Sequence, residues 1–205
     1  PVSAGEFVPF AEQSGQIIPL GRIVIRTLAC EMPTWLVGAS ADFFVSVNLS
    51  VKELADVPLV DELLGGGLSP HLDRLSVEVT ESLELQESSE AERNLERLRA
   101  EGVRIAIDDF GAGFSNFTRL EHLRPSLIKI DRSLVRRAGS EKEGGVAFLT
   151  AATSVAASLK CDVVAEGVET QAEAEVVQLL GIAYVQGFRF QKPGPIEEFR
   201  PEIVG

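Results

Sequence analysis

Six short segments of the chain are rich in Val, Ile and Phe and have the length of β-strands. They are FFVSVNLS (43–50), LSVEVTES (75–82), RIAIDD (104–109), LIKID (127–131), DVVAEG (162–167) and YVQGF (184–188). Between the strands, apolar residues recur at three- and four-residue spacing, which predicts helices over 51–64, 88–102, 144–160 and 170–181. Two more helices are predicted before the first strand. This alternation indicates an α/β fold with parallel strands joined by right-handed crossovers.

Capping signals mark the ends of two of these helices. Ser88 or Ser89 is predicted to cap the second helix and Gly102 to end it, while Thr170 and Gly181 bound the last one. No linker or low-complexity tract divides the chain, so residues 1–205 are predicted to form a single domain. The glycines of GGG (65–67) and EKEGG (141–145) are predicted to lie in exposed loops.

Every predicted strand carries polar residues at or just beyond its carboxyl end. They are Asn48, Glu78, Glu81, Asp108, Asp109, Lys129, Asp131, Glu166, Glu169 and Gln186. In parallel α/β folds, sites are built at the carboxyl ends of the strands, and in a closed (β/α)8 barrel these ends surround one mouth. Any one of these residues could be a helix cap, a turn residue or a salt-bridge partner, but the repetition on six strands predicts an active site of the barrel type.

Asp108 and Asp109 stand side by side where a buried strand ends, although repulsion and desolvation both oppose two adjacent carboxylates. Gly111 and Gly113 follow and would let the loop bend, so that both side chains reach one site. Carboxylate and amide oxygens suit Mg²⁺ or Mn²⁺. Two such ions about 3.5 to 4 Å apart are used for in-line phosphoryl displacement, so Asp108 and Asp109 are predicted to be metal ligands.

The composition narrows the function further. The formal net charge is -12, from 19 basic and 31 acidic residues, which argues against a broad basic surface for a nucleic-acid polymer. Cys30 and Cys161 have no metal-like or redox-like spacing, which fits a reducing setting. No apolar run reaches the roughly 18 residues of a membrane helix. We therefore expect a cytoplasmic domain without membrane contact, in a parent protein that could still be membrane-anchored.

The order and spacing of several motifs are similar to those of a known family. VNLS (47–50), VEVTES (77–82), IAIDDFGAGFSN (105–116), IKID (128–131), VVAEGVET (163–170) and VQGF (185–188) carry the resemblance. The chain resembles the EAL domains, phosphodiesterases that hydrolyse the bacterial second messenger cyclic di-GMP, and the similarity extends over nearly its whole length. The family fold is a (β/α)8 TIM-like barrel with one antiparallel strand.

The resemblance implies a role for each polar residue. Asn48, Glu78 and Asp108 would ligate one ion and Asp109 the second, with Mg²⁺ or Mn²⁺ as the two ions. Lys129 and Glu166 would position or deprotonate the attacking water, with support from Gln186 and Glu169. Glu81 would steady the loop after Asp109 and a dimer contact near it, and Asp131 is a further supporting residue. The implied product is linear 5'-pGpG, and the implied assembly is a homodimer that is fused to or regulated by sensory or GGDEF domains.

Two departures from the family pattern change these expectations. No Glu-Ala-Leu tripeptide, which names the family and supplies a metal-ligating glutamate, occurs in the sequence. Six strands and 205 residues also fall short of the eight strands and roughly 250 residues of the barrel, so the first strands are expected to be missing from this chain. In GAGFSN (111–116), Ala112 and Phe114 stand where the family more often has Thr and Tyr, which removes no ligand.

Three functions therefore remain open. The first is a metal-dependent cyclic di-GMP phosphodiesterase, and the second is a catalytically silent cyclic di-GMP receptor of the same fold. A glutamate upstream of Pro1 would discriminate between them. The third, based on the fold alone, is another divalent-metal barrel enzyme that stabilises an enolate, because fold does not determine function. It predicts a carboxylate or carbonyl substrate and no affinity for a cyclic dinucleotide.

Overall fold

The computed structural model describes residues 2–80, 89–112, 117–140 and 144–195, with only the backbone at 117–119. Strands and helices alternate from the first strand onward. In chain order, the elements are α1 (Ala4–Ser14), α2 (Ile17–Trp35), β1 (Val45–Asn48), α3 (Val51–Ala55), α4 (Val57–Leu64), a 3-10 segment (Gly66–Arg74), β2 (Leu75–Thr80), α5 (Glu90–Ala100), β3 (Arg104–Phe110), α6 (Phe117–Leu123), β4 (Leu127–Ile130), α7 (Arg132–Gly139), α8 (Gly145–Leu159), β5 (Asp162–Ala165), α9 (Gln171–Leu179) and β6 (Tyr184–Val185).

The chain forms two compact units, and the boundary between them along the sequence falls within β4. The first unit contains residues 1–110 and 115–128, and the second contains residues 111–114 and 129–205. The first two residues of β4 therefore belong to the first unit and the last two to the second. The prediction of a single domain stays a prediction.

In the first unit, β1, β2 and β3 pair in parallel. The backbone N–H of Ser126, just before β4, donates to the carbonyl of Ile105 in β3 at 2.8 Å. Five of the six positions of β2 are buried, as expected for a strand covered on both faces. Fully buried apolar side chains from helices and strands pack together as the core of this unit: Ile25, Met32, Leu54, Leu59, Leu63, Leu75, Leu95, Leu98, Ile105 and Ile107.

In the second unit, β5 and β6 pair in parallel, with Val164 opposite Tyr184 and Ala165 opposite Val185. The end of β4 lies beside β5, because Glu166 N–H donates to the carbonyl of Ile130 at 3.1 Å. Small residues let the helices of this unit approach closely. Gly145 begins α8, and a Cβ there would overlap the carbonyl oxygen of Arg137 in α7.

The six predicted strands and their parallel connection are confirmed, and the described part of the chain has the parallel α/β architecture of a partial TIM-like barrel. Ser89, Thr170, Gly102 and Gly181 also lie at the predicted helix ends. The predicted helix over 51–64 is two helices. Asp56 is extended and accepts a hydrogen bond from Leu59 N–H at 2.8 Å, and Pro58 suits a first turn because it needs no N–H partner there.

The prediction of exposed loops at the glycine clusters is wrong in part. Gly66 and Gly67 lie in the 3-10 segment, and a Cβ at Gly67 would come within 2.5 Å of the Ala29 carbonyl oxygen. Gly145 is a buried residue of α8 rather than part of a loop, while 141–143 lie outside the described residues. Helices α6 and α7 and the 3-10 segment were not predicted. No helix in the described ranges combines the length and the apolar character needed to span a membrane.

Candidate active site

Three strand ends of the first unit present polar side chains on one face of the sheet. Asn48 at the end of β1 lies opposite Glu78 of β2, and Thr80 of β2 lies opposite Asp108 of β3. Paired residues of parallel strands point to the same face, and residues two apart along a strand do too. Asn48, Glu78 and Asp108 therefore share a face, with Asp108 one step further along it. Their burial differs, since Glu78 is 6% exposed, Asp108 is half-buried and Asn48 is exposed.

Asp109 places a second carboxylate beside Asp108. Its φ is 56°, in the left-handed region that few residues other than glycine adopt, although Asp tolerates it better than most. A carboxylate oxygen of Asp109 lies within 4.8 Å of one of Asp108. The backbone therefore already turns at Asp109, and Gly111, to which the sequence pattern assigned the bend, follows with a φ of 91°. Strain of this kind is found mainly at functional sites.

The second unit contains a buried ion pair. The Lys129 ammonium on β4 lies 2.7 Å from Oε1 of Glu166, with the two side chains 8% and 17% exposed. Glu166 directly follows β5, and its backbone N–H is bound to Ile130 of β4. This hydrogen bond aligns the end of β5 with the strand that carries the lysine.

Gln186 and Glu169 lie on backbone that is hydrogen-bonded to the same strand end. Gln186 N–H donates to the Ala165 carbonyl at 2.9 Å, and the Gln186 carbonyl accepts from Val168 N–H at 3.1 Å. The side chains of Gln186 and Glu169 are exposed. The structure thus brings these two segments together in the second unit through their backbones, and both side chains remain accessible to a ligand.

Asp131 and Glu81 were predicted to support the site, and the structure describes only the first of them. Asp131 is the N-cap of α7 and accepts a hydrogen bond from Ser133 N–H at 2.9 Å, which is a structural role. Glu81 lies outside the described residues, as does Gly113. Neither a dimer contact nor a loop contact of Glu81 is therefore described.

Two buried glutamates near the predicted site residues were missed. Glu53 and Glu173 are 4% and 6% exposed, and each is the third residue of a helix that starts close to a strand end. Each closes a capping box, with Ser50 in one case and Thr170 in the other. The sequence signal was present, because Ser-x-x-Glu and Thr-x-x-Glu before an apolar stretch are typical of this cap.

The strand-end residues of the first unit fit a hard divalent cation. Asn48, Glu78, Asp108 and Asp109 offer only amide and carboxylate oxygens, which Mg²⁺ and Mn²⁺ prefer over nitrogen and sulfur. The closeness of Asp108 and Asp109 favours a cation between them, since two like charges raise each other's free energy. Lys129 and Glu166 instead balance each other's charge directly.

Comparisons with known proteins agree with this fold. The family model described as "EAL domain" matches residues 1–193. MucR of Pseudomonas aeruginosa, a bifunctional diguanylate cyclase/cyclic di-GMP phosphodiesterase, is 36% identical over 205 residues, covering 99% of this chain and 30% of that protein. The oxygen sensor protein DosP of Escherichia coli is 37% identical over 201 residues, covering 96% of this chain and 25% of that protein.

Solved structures show the same similarity. The MucR phosphodiesterase in complex with c-di-GMP has a TM-score of 0.85 and 36% identity, covering 96% of this chain and 80% of that one. BlrP1 of Klebsiella pneumoniae, solved with manganese and cyclic di-GMP, has a TM-score of 0.68 and 30% identity, covering 84% of this chain and 43% of that one.

The fold defines a parallel α/β protein of the partial TIM-barrel type, its strand-end residues fit a divalent cation, and the comparisons narrow this class to one family. The chain belongs to the EAL domain family. It spans about 30% of the length of MucR and 25% of that of DosP, so both relatives contain much more than the matched region.

Proposed function

We propose that this chain hydrolyses cyclic di-GMP to linear 5'-pGpG, with water activated by two divalent ions. The observation that carries the proposal is the pair of carboxylates at the end of β3, where Asp108 and Asp109 lie within 4.8 Å of each other. Such a pair is costly without cations and useful with them. The similarity to proteins solved with cyclic di-GMP, and in one case with manganese, supports the substrate and the ion class.

The residues of the first unit hold the ions in this proposal. Asn48, Glu78 and Asp108 bind one ion, and Asp109 binds the second. When bound, Mg²⁺ or Mn²⁺ ions lower the pKa of water, neutralise a nonbridging phosphoryl oxygen and stabilise the leaving 3'-oxygen. The left-handed backbone at Asp109 directs its carboxylate toward that of Asp108, which orients both groups in advance of ligand binding.

The residues of the second unit handle the proton. Glu166 accepts it from the attacking water, and the Lys129 ammonium, 2.7 Å away, offsets the charge that develops on the phosphoryl group. Because both side chains are largely buried, their mutual orientation is set by packing as well as by charge. Gln186 helps to hold the water, and Glu169 supports the water and Lys129. We further propose a homodimer whose activity is controlled by sensory or GGDEF domains.

The test is to incubate the protein at its natural length with cyclic di-GMP and Mg²⁺ or Mn²⁺, and to separate the products by chromatography. A linear pGpG peak that is absent from an Asp109→Asn control is the expected result. Asn has nearly the same volume as Asp but no charge, so the substitution is expected to leave the folded structure intact, and misfolding would not explain the loss of the peak. Full activity of Asp109→Asn would refute the two-ion assignment.

A catalytically silent cyclic di-GMP receptor is the second candidate. It is favoured by one observation, namely that the similar structures solved with cyclic di-GMP contain the nucleotide as a bound ligand, which supports binding independently of turnover. The same incubation decides between the two functions, provided that nucleotide binding is measured beside turnover. Binding without any pGpG would identify a receptor, whereas neither binding nor turnover would refute both candidates.

A further inference from the structure

Three helices of the described chain begin with a complete capping box, and two of these boxes lie next to the proposed site. Ser3 and Glu6 cap α1, Ser50 and Glu53 cap α3, and Thr170 and Glu173 cap α9. Glu6 is exposed, as a capping glutamate usually is, whereas Glu53 and Glu173 are buried. Burial of a carboxylate is costly, so these two boxes need a reason beyond helix capping.

Glu53 fixes the turn that follows the proposed ligand Asn48. One oxygen of Glu53 accepts two hydrogen bonds from Ser50, at 2.8 Å from the backbone N–H and at 2.6 Å from the hydroxyl. Ser50 stands two residues after Asn48, and Leu49 N–H donates to the Glu78 carbonyl at 3.0 Å. The end of β1 is therefore held on one side by β2 and on the other by Glu53.

Glu173 fixes the backbone of Glu169 directly. One of its oxygens accepts from the N–H groups of Glu169 and Thr170 at 2.7 and 2.8 Å. The preceding Val168 N–H is bound to the Gln186 carbonyl. A continuous set of hydrogen bonds thus runs from Glu173 through the 168–170 segment to the strand end at Gln186.

Each buried glutamate has a glycine opposite it on a neighbouring helix. A Cβ at Gly21 of α2 would overlap Oε1 of Glu53, and a Cβ at Gly139 of α7 would lie 2.5 Å from Cγ of Glu173. The two buried boxes therefore share a close contact with a glycine of another helix.

We propose that Glu53 and Glu173 are positioning residues, which hold the segments of Asn48 and of Glu169 in place, and that Gly21 and Gly139 provide the space they occupy. This inference rests on the proposed function for the roles of Asn48 and Glu169. Glu53 acts on ion binding through the β1 end, while Glu173 acts on the chemical step through the 168–170 segment. The two residues consequently differ in the property that they control.

The experiment compares Glu53→Ala and Glu173→Ala in the protein at its natural length, with Glu6→Ala as the matched control. Mn²⁺ affinity without substrate is measured by calorimetry, and kcat and KM are measured at saturating Mn²⁺. Glu53→Ala is expected to weaken Mn²⁺ binding about 10- to 100-fold, the usual cost of losing a partner of a metal ligand. Glu173→Ala is expected to lower kcat about 10- to 100-fold with unchanged Mn²⁺ affinity. Glu6→Ala should change neither property.

The Gln variants and hydrogen exchange test the stated contacts. A Gln amide oxygen can accept the same hydrogen bonds, so Glu53→Gln and Glu173→Gln should recover most of the lost affinity and rate. The Ser50 amide should exchange faster in Glu53→Ala, and those of Glu169 and Thr170 faster in Glu173→Ala. Gln variants as impaired as the Ala variants, or unchanged exchange, would overturn the proposal.

The glycines give an independent readout. As a single substitution, Gly21→Ala should weaken Mn²⁺ binding. It should have little further effect in the Glu53→Ala background, because the carboxylate that the new methyl group would overlap is gone. Additive effects would overturn the assignment. If the unchanged protein shows no hydrolysis, the proposed function fails, while Mn²⁺ affinity, hydrogen exchange and circular dichroism still test the Glu53 contact. An Ala variant that keeps its fold, its exchange rates and its Mn²⁺ affinity would then refute the positioning role of Glu53.

Discussion

The two units of the chain balance the charge at their strand ends in different ways. In the first unit, Asp108 and Asp109 bring carboxylates within 4.8 Å of each other at the end of β3. In the second, Glu166 lies 2.7 Å from the Lys129 ammonium. Like charges at short range favour a bound cation or a proton, whereas an ion pair is already neutral. A carboxylate at a strand end therefore lies beside a second carboxylate in the first unit and beside an ammonium group in the second.

The two units also differ in which type of residue has a positive φ at the strand end. At the end of β3 in the first unit, the residue with positive φ is Asp109 itself, while after Glu166 in the second unit it is Gly167, with a φ of 64°. A glycine adopts this region without strain, and here it is also required because a Cβ would overlap Cβ of Arg132. Strain is thus stored at the carboxylate of the first unit and avoided in the second.

The sharpest test of this difference compares Asp109→Asn with Glu166→Gln. Both should lower kcat by roughly 10²- to 10³-fold, the cost of losing one key electrostatic group. Only Asp109→Asn should raise the Mn²⁺ concentration needed for half-maximal turnover, because only the first unit is expected to hold the ions. Steady-state rates measured over a Mn²⁺ titration give both quantities. An equal shift in both variants would contradict the division between the units.

Removing one member of the ion pair should destabilise the second unit strongly. Lys129→Met leaves a largely buried carboxylate without its cation, which costs about 3 kcal/mol of unfolding free energy. Urea denaturation measures this loss. Lys52→Met is the control, since Lys52 is exposed and its ammonium donates to the Glu12 carbonyl, so the change should stay within about 0.5 kcal/mol. Similar losses in both variants would mean that the Lys129 pair contributes no special stability.

Adding Mn²⁺ should stabilise the protein through the first unit alone. At a free concentration one hundred times the Kd, ion binding adds about 2.7 kcal/mol to the unfolding free energy. Denaturation with Mn²⁺ and with a chelator measures the difference. It should shrink in Asp108→Asn and remain in Glu166→Gln, and a Glu166→Gln variant that no longer responds to Mn²⁺ would place an ion on the second unit as well.

The smallest expected effect concerns how the unfolding free energy depends on pH. The contributions of the two buried capping boxes to it should change with pH in opposite directions. Burial raises the pKa of Glu53 above its usual 4.5, and the nearby Glu12 carboxylate adds to this. At Glu173, burial also raises the pKa, but the N–H donors of Glu169 and Thr170 outweigh it and the net pKa is lowered. A raised pKa means that the folded state binds the proton more tightly than the unfolded state does. The contribution of Glu53 to the free energy of unfolding therefore falls as pH rises through its folded pKa. The contribution of Glu173 to the same free energy is present above the pKa of the unfolded state and is lost as pH falls through the lowered folded pKa.

The comparison between variants isolates these two groups. Relative to the unchanged protein, the Glu53→Gln variant should become more stable as pH rises through the pKa values of these groups. The Glu173→Gln variant should become less stable over the same pH range. Unfolding free energies measured from about pH 3 to about pH 7 give both slopes. Slopes of the same sign would show that the two boxes do not differ electrostatically.

Sequence patterns predicted the strands and most of the helices because those elements have strong local signals. Every predicted strand has a counterpart, and Ser89 and Thr170 cap the helices that they were predicted to cap. Helix α7 was missed because its eight residues, RSLVRRAG, show too short an apolar repeat. The predicted helix over 51–64 was wrong at Asp56, where a cap and a proline begin a new helix within an unbroken apolar pattern.

The candidate site was predictable in its residue types and less so in its geometry. The repetition of polar residues at strand ends was enough to indicate Asn48, Glu78, Asp108, Lys129 and Glu166. Two features depended on contacts distant in sequence: the Lys129–Glu166 pair, which joins neighbouring strands, and the burial of Glu53 and Glu173 against glycines of other helices. Local patterns do not encode such contacts, since they arise from packing.

For this protein, the sequence alone determined the order of strands and helices, the family, and the chemical types of the strand-end residues. These follow from local periodicity and from motif order, both of which are properties of neighbouring residues along the chain. Only the tertiary structure decided that the backbone turns at Asp109 and that Glu166 lies beside Lys129. The physical reason is that charge balance, burial and backbone strain depend on which groups meet in space, and chain neighbours do not specify that.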